Sequence, residues 1–228
     1  MYWFLYDELI GRATRDEAEL ISARKTWEAR TGTVSPDHEL YHERSDAFVE
    51  WFLLDRRGAD QRTPLERELA ELAPPDAAPT ANPPNADLRR DPRWAVMLRA
   101  LHAAQHSLFS VVRLRPGGLI VDDLLGGARF DVDERRSLPG VAAGDLFEAR
   151  LIPDPEVAYR IVLGRAVLFH PREATPTLLR LAAATRRQGT PHTALLDQLL
   201  RLRLKALTYR HVSPARIYEG EPGTARAS

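Results

Sequence analysis

The chain contains no cysteine, and no stretch of it stays apolar for long. Without cysteine there are no disulfides, no thiolate zinc or iron–sulfur sites and no thiol nucleophile. The same absence accords with a reducing compartment. The longest apolar run near the start is Trp3–Tyr6, with Met1 ahead of it and no basic residue between them. A secretory leader needs about 7–15 apolar residues and a membrane helix about 20, so neither is expected and the chain reads as cytoplasmic. The aromatic cluster Tyr2, Trp3, Phe4 and Tyr6 is expected to tie its end of the chain onto the core.

Net charge is missing too, since 32 basic and 32 acidic residues cancel. The balance is zoned: residues 1–72 carry 10 basic and 16 acidic side chains, whereas residues 171–228 carry 10 and 4. Attraction of the whole chain to nucleic acid is therefore not expected, although a local basic face is compatible with these counts. The sequence also lacks G-x-S-x-G, a P-loop and a G-x-G-x-x-G opening a helix. Its glycine pairs, Gly117-Gly118 and Gly126-Gly127, have the spacing of hairpin turns. No cofactor is implied.

What the chain has is 228 residues, 44% hydrophobic and 28% charged, enough to bury a core as one large domain or two small ones. Its texture changes between Leu108 and Phe169. Outside that window the pattern is helical. Thr14–Glu17 reads as a capping box ahead of the stripe Leu20, Ile21, Ala23 and Trp27, with Gly32 as the stop. Ser35-Pro36 opens a second helix whose apolar face is Ala47, Phe48, Trp51, Phe52 and Leu54, ending near Gly58. Thr63-Pro64 caps a short third helix to about Leu72. Residues 73–91 are a linker rich in proline and alanine, and Asp91-Pro92 starts a helix bearing Trp94, Met97, Leu98 and Leu101.

Inside the window, strands are expected at Phe109–Arg115, Leu119–Asp122, Ala128–Asp133, Leu146–Ile152, Tyr159–Leu163 and Ala166–Phe169, punctuated by glycine and proline. Ala128, Phe130 and Val132 should face inward, and the aspartates Asp122, Asp123, Asp131 and Asp133 should be solvated. Thr175-Pro176 and Thr190-Pro191 cap two final helices split at Gly189. Leu195, Leu196, Leu199, Leu202 and Leu204 line the last, and the chain should fray after Ile217. The fold class is therefore α+β. An acidic helical region (1–72) and the linker precede a leading helix with a small SH3-like or OB-like barrel, or a bent antiparallel sheet (92–170). A basic helical region (171–228) follows.

Two histidine patterns carry potential chemistry. His38-Glu39-x-x-His42 matches H-E-x-x-H, which on a helix places two imidazoles on one face for zinc, with the glutamate to activate water. Pro36 puts His38 at the edge of any helix, however, and Glu43-Arg44 mark an exposed face, so a zinc metalloprotease is only a remote alternative. His102 and His106, four apart at the end of the helix leading into the strands, are explained by the helix dipole. The basic residues are the better candidates for a binding surface: Arg129, Arg135 and Arg136 around the strands, and Arg201, Arg203 and Lys205 on the last helix.

Three segments, Phe48–Arg56 with Thr63-Pro64, Gly144–Ile152 and Phe169–Glu173, resemble a loosely defined set of uncharacterised bacterial proteins in which a helical segment precedes a small β-module. Some similar proteins end in a zinc-binding SEC-C tail, which this cysteine-free chain lacks. The resemblance supports the organisation over residues 40–173 and brings no catalytic residues with it. The sequence thus points to a non-enzymatic cytoplasmic adaptor or regulator that binds another protein. The alternative is a nucleic-acid-binding regulator using the β-module and the basic tail. That tail is expected to pack on the acidic N-terminal region or to pair two subunits into a homodimer.

Overall fold

The computed structural model describes residues 3–72, 88 and 91–220. Among them are eight α-helices and five strands in α+β order. These are α1 (Trp3–Ala13), α2 (Glu17–Thr31), α3 (Tyr41–Leu54), α4 (Pro64–Ala70), α5 (Pro92–His102), β1 (Gln105–Arg115), β2 (Gly118–Asp123), β3 (Arg129–Asp133), β4 (Leu146–Pro153), β5 (Ile161–Phe169), α6 (Thr175–Gln188), α7 (His192–Thr208) and α8 (Pro214–Glu219). Nearly all of the linker, and Tyr2 of the aromatic cluster, lie outside the described residues.

Side-chain caps form at α2, α4 and α5, whereas α3, α6, α7 and α8 start without one. Thr175 and Thr190 are therefore not caps: Ala174 precedes α6 and Pro191 precedes α7. Thr63 and Glu66 form a complete capping box around Pro64. Asp91 caps α5 through Arg93 N, and Trp94, Met97, Leu98 and Leu101 are buried as the periodicity requires. At α2 the cap is Asp16, which accepts from Glu19 N. Thr14 instead closes α1, donating its hydroxyl to Ile10 O. The N-terminal aromatics are part of that helix: Tyr6 is buried beside Leu5 and Leu9, while Phe4 stays exposed. Ile21 is exposed, so the α2 stripe is narrower than the sequence implies. Residues 36–40 form turns, and α3 starts only at Tyr41. The end does not fray at Ile217, because α8 buries Tyr218 against His170.

The sheet is mixed, not purely antiparallel. Its strands bond in a closed cycle, β1-β2-β3-β5-β4 and back to β1. The closing contact is a parallel β3–β5 seam of two residue pairs, Val132–Ile161 and Asp133–Val162. The parallel seam makes the sheet mixed rather than the antiparallel one anticipated. The strands expected at 159–163 and 166–169 are a single strand, β5, bent where Gly164–Ala166 bulge opposite Arg150.

Phe109, Val111, Leu119, Val121, Val132, Phe147, Ala149, Leu151 and Leu163 fill the barrel. Phe130 contributes at its edge, whereas Ala128 is exposed and precedes β3. Helices cover two outer faces. Ile152, Ala166 and Leu168 join a cluster with α1, α3 and α5, and Leu108 and Leu146 join another with α6, α7 and α8. Strand β4 is consequently buried on both sides. Its outward residues run Leu146, Glu148, Arg150, Ile152, so the apolar ends meet the two helical layers and the charged middle falls at their junction.

Candidate functional site

At the barrel end beside the β3–β5 seam lies a cleft of about 470 Å³, walled by Trp3 of α1, the β3–β4 loop and the β4–β5 loop. Four arginines and four carboxylates line it: Arg135, Arg136, Arg160 and Arg165 with Asp133, Glu134, Asp154 and Glu156. Arg136 holds Glu134 and donates to the carbonyls of Gly164 (2.8 Å) and Arg165 (3.0 Å), clamping the β3–β4 loop to the bulge of β5. Arg160 donates Nε to Asp154 at 2.6 Å. Arg165 pairs with Asp7 at 2.6 Å and lies over the rings of Trp3 and Tyr6. Arg135 is exposed and makes no ion pair or hydrogen bond with the described residues.

The β4–β5 loop forms one rim. Asp154 shapes it by accepting from Glu156 N at 2.8 Å and pairing with Arg160, and these contacts hold its carboxyl below the usual range against the opposing effect of burial. At the tip, Tyr159 has φ 64 and is fully exposed, next to half-exposed Val157. A non-glycine residue in the left-handed region, with its ring in solvent, is energetically unfavourable on both counts.

The six predicted binding residues do not form one surface. Arg135 and Arg136 line the cleft. Arg129 stands on the outer barrel face and pairs in bidentate fashion with Asp122, beside a second group in which Arg115 joins Asp131 and Asp133. That face carries no free run of cations for a phosphate backbone to follow. On α7, Arg201 donates to Arg30 O at 3.0 Å, Arg203 is half-buried near His170 and Tyr218, and Lys205 is exposed.

Neither histidine pattern assembles. His38 sits in a turn with Nδ1 accepting from Leu40 N, Glu39 reaches Arg210, and His42 is exposed in the first turn of α3. The two imidazoles therefore share no helix face. His102 is exposed on α5, while His106 is not helical at all but belongs to β1. Among the described residues no group of three potential ligands is placed to hold a metal. Asp123, expected in solvent, is buried and accepts from Ser107, Gln105 and the amides of Leu125 and Gly126, which makes it the organiser of the β2–β3 turn.

Pattern reading missed a second cluster, at the junction of α2, α3 and α7 with the barrel. Glu148 Oε1 lies 3.0 Å from His106 Nε2, and its Oε2 has no hydrogen-bond partner. Glu50 of α3 accepts from Arg165 N (2.7 Å) and Ala166 N (3.1 Å), the amides freed by the β5 bulge, and faces Arg150 at 3.5 Å. Arg150 also binds Asp55 at the end of α3. Burial raises the Glu50 carboxyl to about 7, against the lowering effect of Arg150 and the two amides. The space beside these groups is about 30 Å³, room for roughly one water. It holds no substrate. No sequence signal separates Glu148 and Arg150 from the outward polar residues of an ordinary half-exposed strand.

No protein-family model, curated protein or solved structure matches the chain.

Proposed function

We propose that this protein is a non-enzymatic adaptor that binds another protein through the cleft at the barrel end, with Tyr159 as its apolar anchor and Arg135 as its charged one. The observation that carries this reading is the juxtaposition of an unpaired arginine, a cleft lined by equal numbers of both charge signs, and a fully exposed tyrosine held in a left-handed conformation at the rim. Aromatic and arginine side chains supply most of the energy at protein interfaces. A lining of both signs complements a polypeptide, whereas a polyanion would meet the four carboxylates as repulsion. No helix among the described residues is long and apolar enough to cross a membrane, and the reading includes a cytoplasmic location.

A nucleic-acid reading has one observation in its favour: an exposed aromatic on the β4–β5 loop of the barrel can stack a base. Photocrosslinkers placed at positions 135 and 159, with position 113 on the outer strand face as control, separate the two in extracts of the producing cells. Protein adducts specific to 135 and 159 are expected. Nucleic-acid adducts at those positions, or equal labelling at 113, would overturn the adaptor reading.

A further inference from the structure

We propose that buried Glu148, with partly exposed His106 as its hydrogen-bonding partner, is a proton-binding site whose occupancy holds the helical layers on the barrel, and that emptying it loosens that seam. The geometry is specific. Glu148 is 1% exposed, on the outward face of β4, with His106 of β1 as its sole hydrogen-bonding neighbour among the described residues. The pair is cross-strand rather than helical, because β1 and β4 run antiparallel with His106 opposite Arg150.

The titratable and charged groups facing the pair come from five elements, beginning with Tyr218 of α8, whose hydroxyl Glu148 affects through space. From α2 there is Arg30, and from α3 Arg44 and Glu50, with Asp55 at its end. From α7 there is Asp197, and from β4 Arg150. β5 contributes only the apolar Ala166 and Leu168. With Glu148 itself, four carboxylates stand against three guanidiniums. Three of the carboxylates have strong partners: Asp197 binds Arg30, Asp55 binds Arg150, and Glu50 takes two backbone amides and faces Arg150. Arg44 donates to Thr31 O, Gly32 O and Leu200 O and attracts Glu148 only through space, without a hydrogen bond to it. Glu148 is left with a neutral imidazole and one unpartnered oxygen. A carboxylate so placed has no adequate counter-charge, and a buried charge without one is neutralised by taking up a proton.

The titration behaviour agrees with the geometry. Burial, helped by Asp197, raises Glu148 to about 8 against the lowering effect of Arg150 and Arg44, while burial and Arg150 hold His106 well down against Asp55 and Asp197. On this proposal the neutral-pH proton sits on the carboxyl, which donates to His106 Nε2. The unfolded glutamate loses its proton near 4.5, so the stability contributed by Glu148 is complete below that pH and is lost as pH rises toward 8, whereas His106 and His170, held neutral in the fold, act with the opposite sign below their unfolded value of 6.5. Above that, a carboxylate appears beside Asp197 in a cavity with room for about one water.

The test compares the protein with E148Q, which keeps a neutral hydrogen-bond donor, both in an E50Q background so that Glu50 does not titrate. Urea unfolding from pH 6.5 to 9, above the range in which the unfolded histidines titrate, is expected to show the unfolding constant rising with pH in the parent and at least tenfold less in E148Q. Identical pH slopes would overturn the proposal. If E148Q does not fold, infrared titration of the parent decides. A protonated carboxyl band present at pH 7 and lost above pH 8 supports the site, and no such band at pH 7 sinks it.

Discussion

Glu50 meets three demands at once, and that makes its behaviour predictable. Its carboxylate replaces strand bonding that the β5 bulge gives up, it faces the buried Arg150, and it fixes α3 to the barrel. Gly164 permits this, because a Cβ there would stand 2.6 Å from Glu50 Oε1 and 3.3 Å from Arg150 Cβ. Glu50→Ala leaves two amides without an acceptor and a buried guanidinium short of a counter-ion, and should lower stability by about 3–5 kcal/mol in urea unfolding. Glu50→Gln retains an acceptor for the amides and should lose less than half of that. A measured loss below about 1 kcal/mol for Glu50→Ala would mean that the bulge amides find water instead. Gly164→Ala should lower stability by about 1–3 kcal/mol through the same contact. These roles were not legible from residue types. Glu50 lies in a helix that reads as amphipathic, and Asp123 reads as any strand-end aspartate, whereas β1 and the β2–β3 turn each bring two donors to it.

At the scale of elements, local chemistry was legible wherever one segment satisfies its own backbone, and illegible where a distant segment does so. Thr63 with Glu66 is the first kind, and Thr63→Ala should lower stability by about 1 kcal/mol. The last helix is the second kind. Ser213-Pro214 offers a helix start but nothing local marks the segment as packed, yet Tyr218 is 1% exposed because His170, 48 residues earlier, supplies its hydrogen-bond partner at 3.0 Å. The β4–β5 loop separates stability from function. Tyr159→Gly removes a side chain that favours neither its φ of 64 nor its solvent exposure. Thermal unfolding should show the variant at least as stable as the parent, by up to about 1 kcal/mol, while crosslinking from position 135 to the partner falls. A stability loss would show that the ring packs in solution, and would remove Tyr159 from the proposed anchors.

Over the whole molecule, the zoned charge does connect the chain ends, but not by its net sign. Helices α2 and α7 pack where Gly32 brings α2's end close to Leu204. The principal ion pair there sets Arg30 of the acidic region against Asp197 of the basic one, while Arg210 with Glu39 follows the zoning. The leucine face of α7 is buried within its own chain, in Leu195, Leu196, Leu199, Leu200 and Leu202, so that face is not available for the anticipated dimer. The two helical layers share strand β4, and Leu200 of α7 belongs to the N-terminal cluster. Arg44 ties α2, α3 and α7 together through Thr31 O and Leu200 O. With no layer independent of the others, the described residues should unfold as one cooperative unit. All four tryptophans precede residue 95, so fluorescence reports only the N-terminal layer, whereas methyl resonances of Val121 and Val132 report the barrel and those of Leu199 and Leu202 the C-terminal layer. The three urea midpoints should coincide within error. A C-terminal transition at lower urea would show that α6–α8 dock on a barrel already complete without them, and that α7 is not what holds the seam.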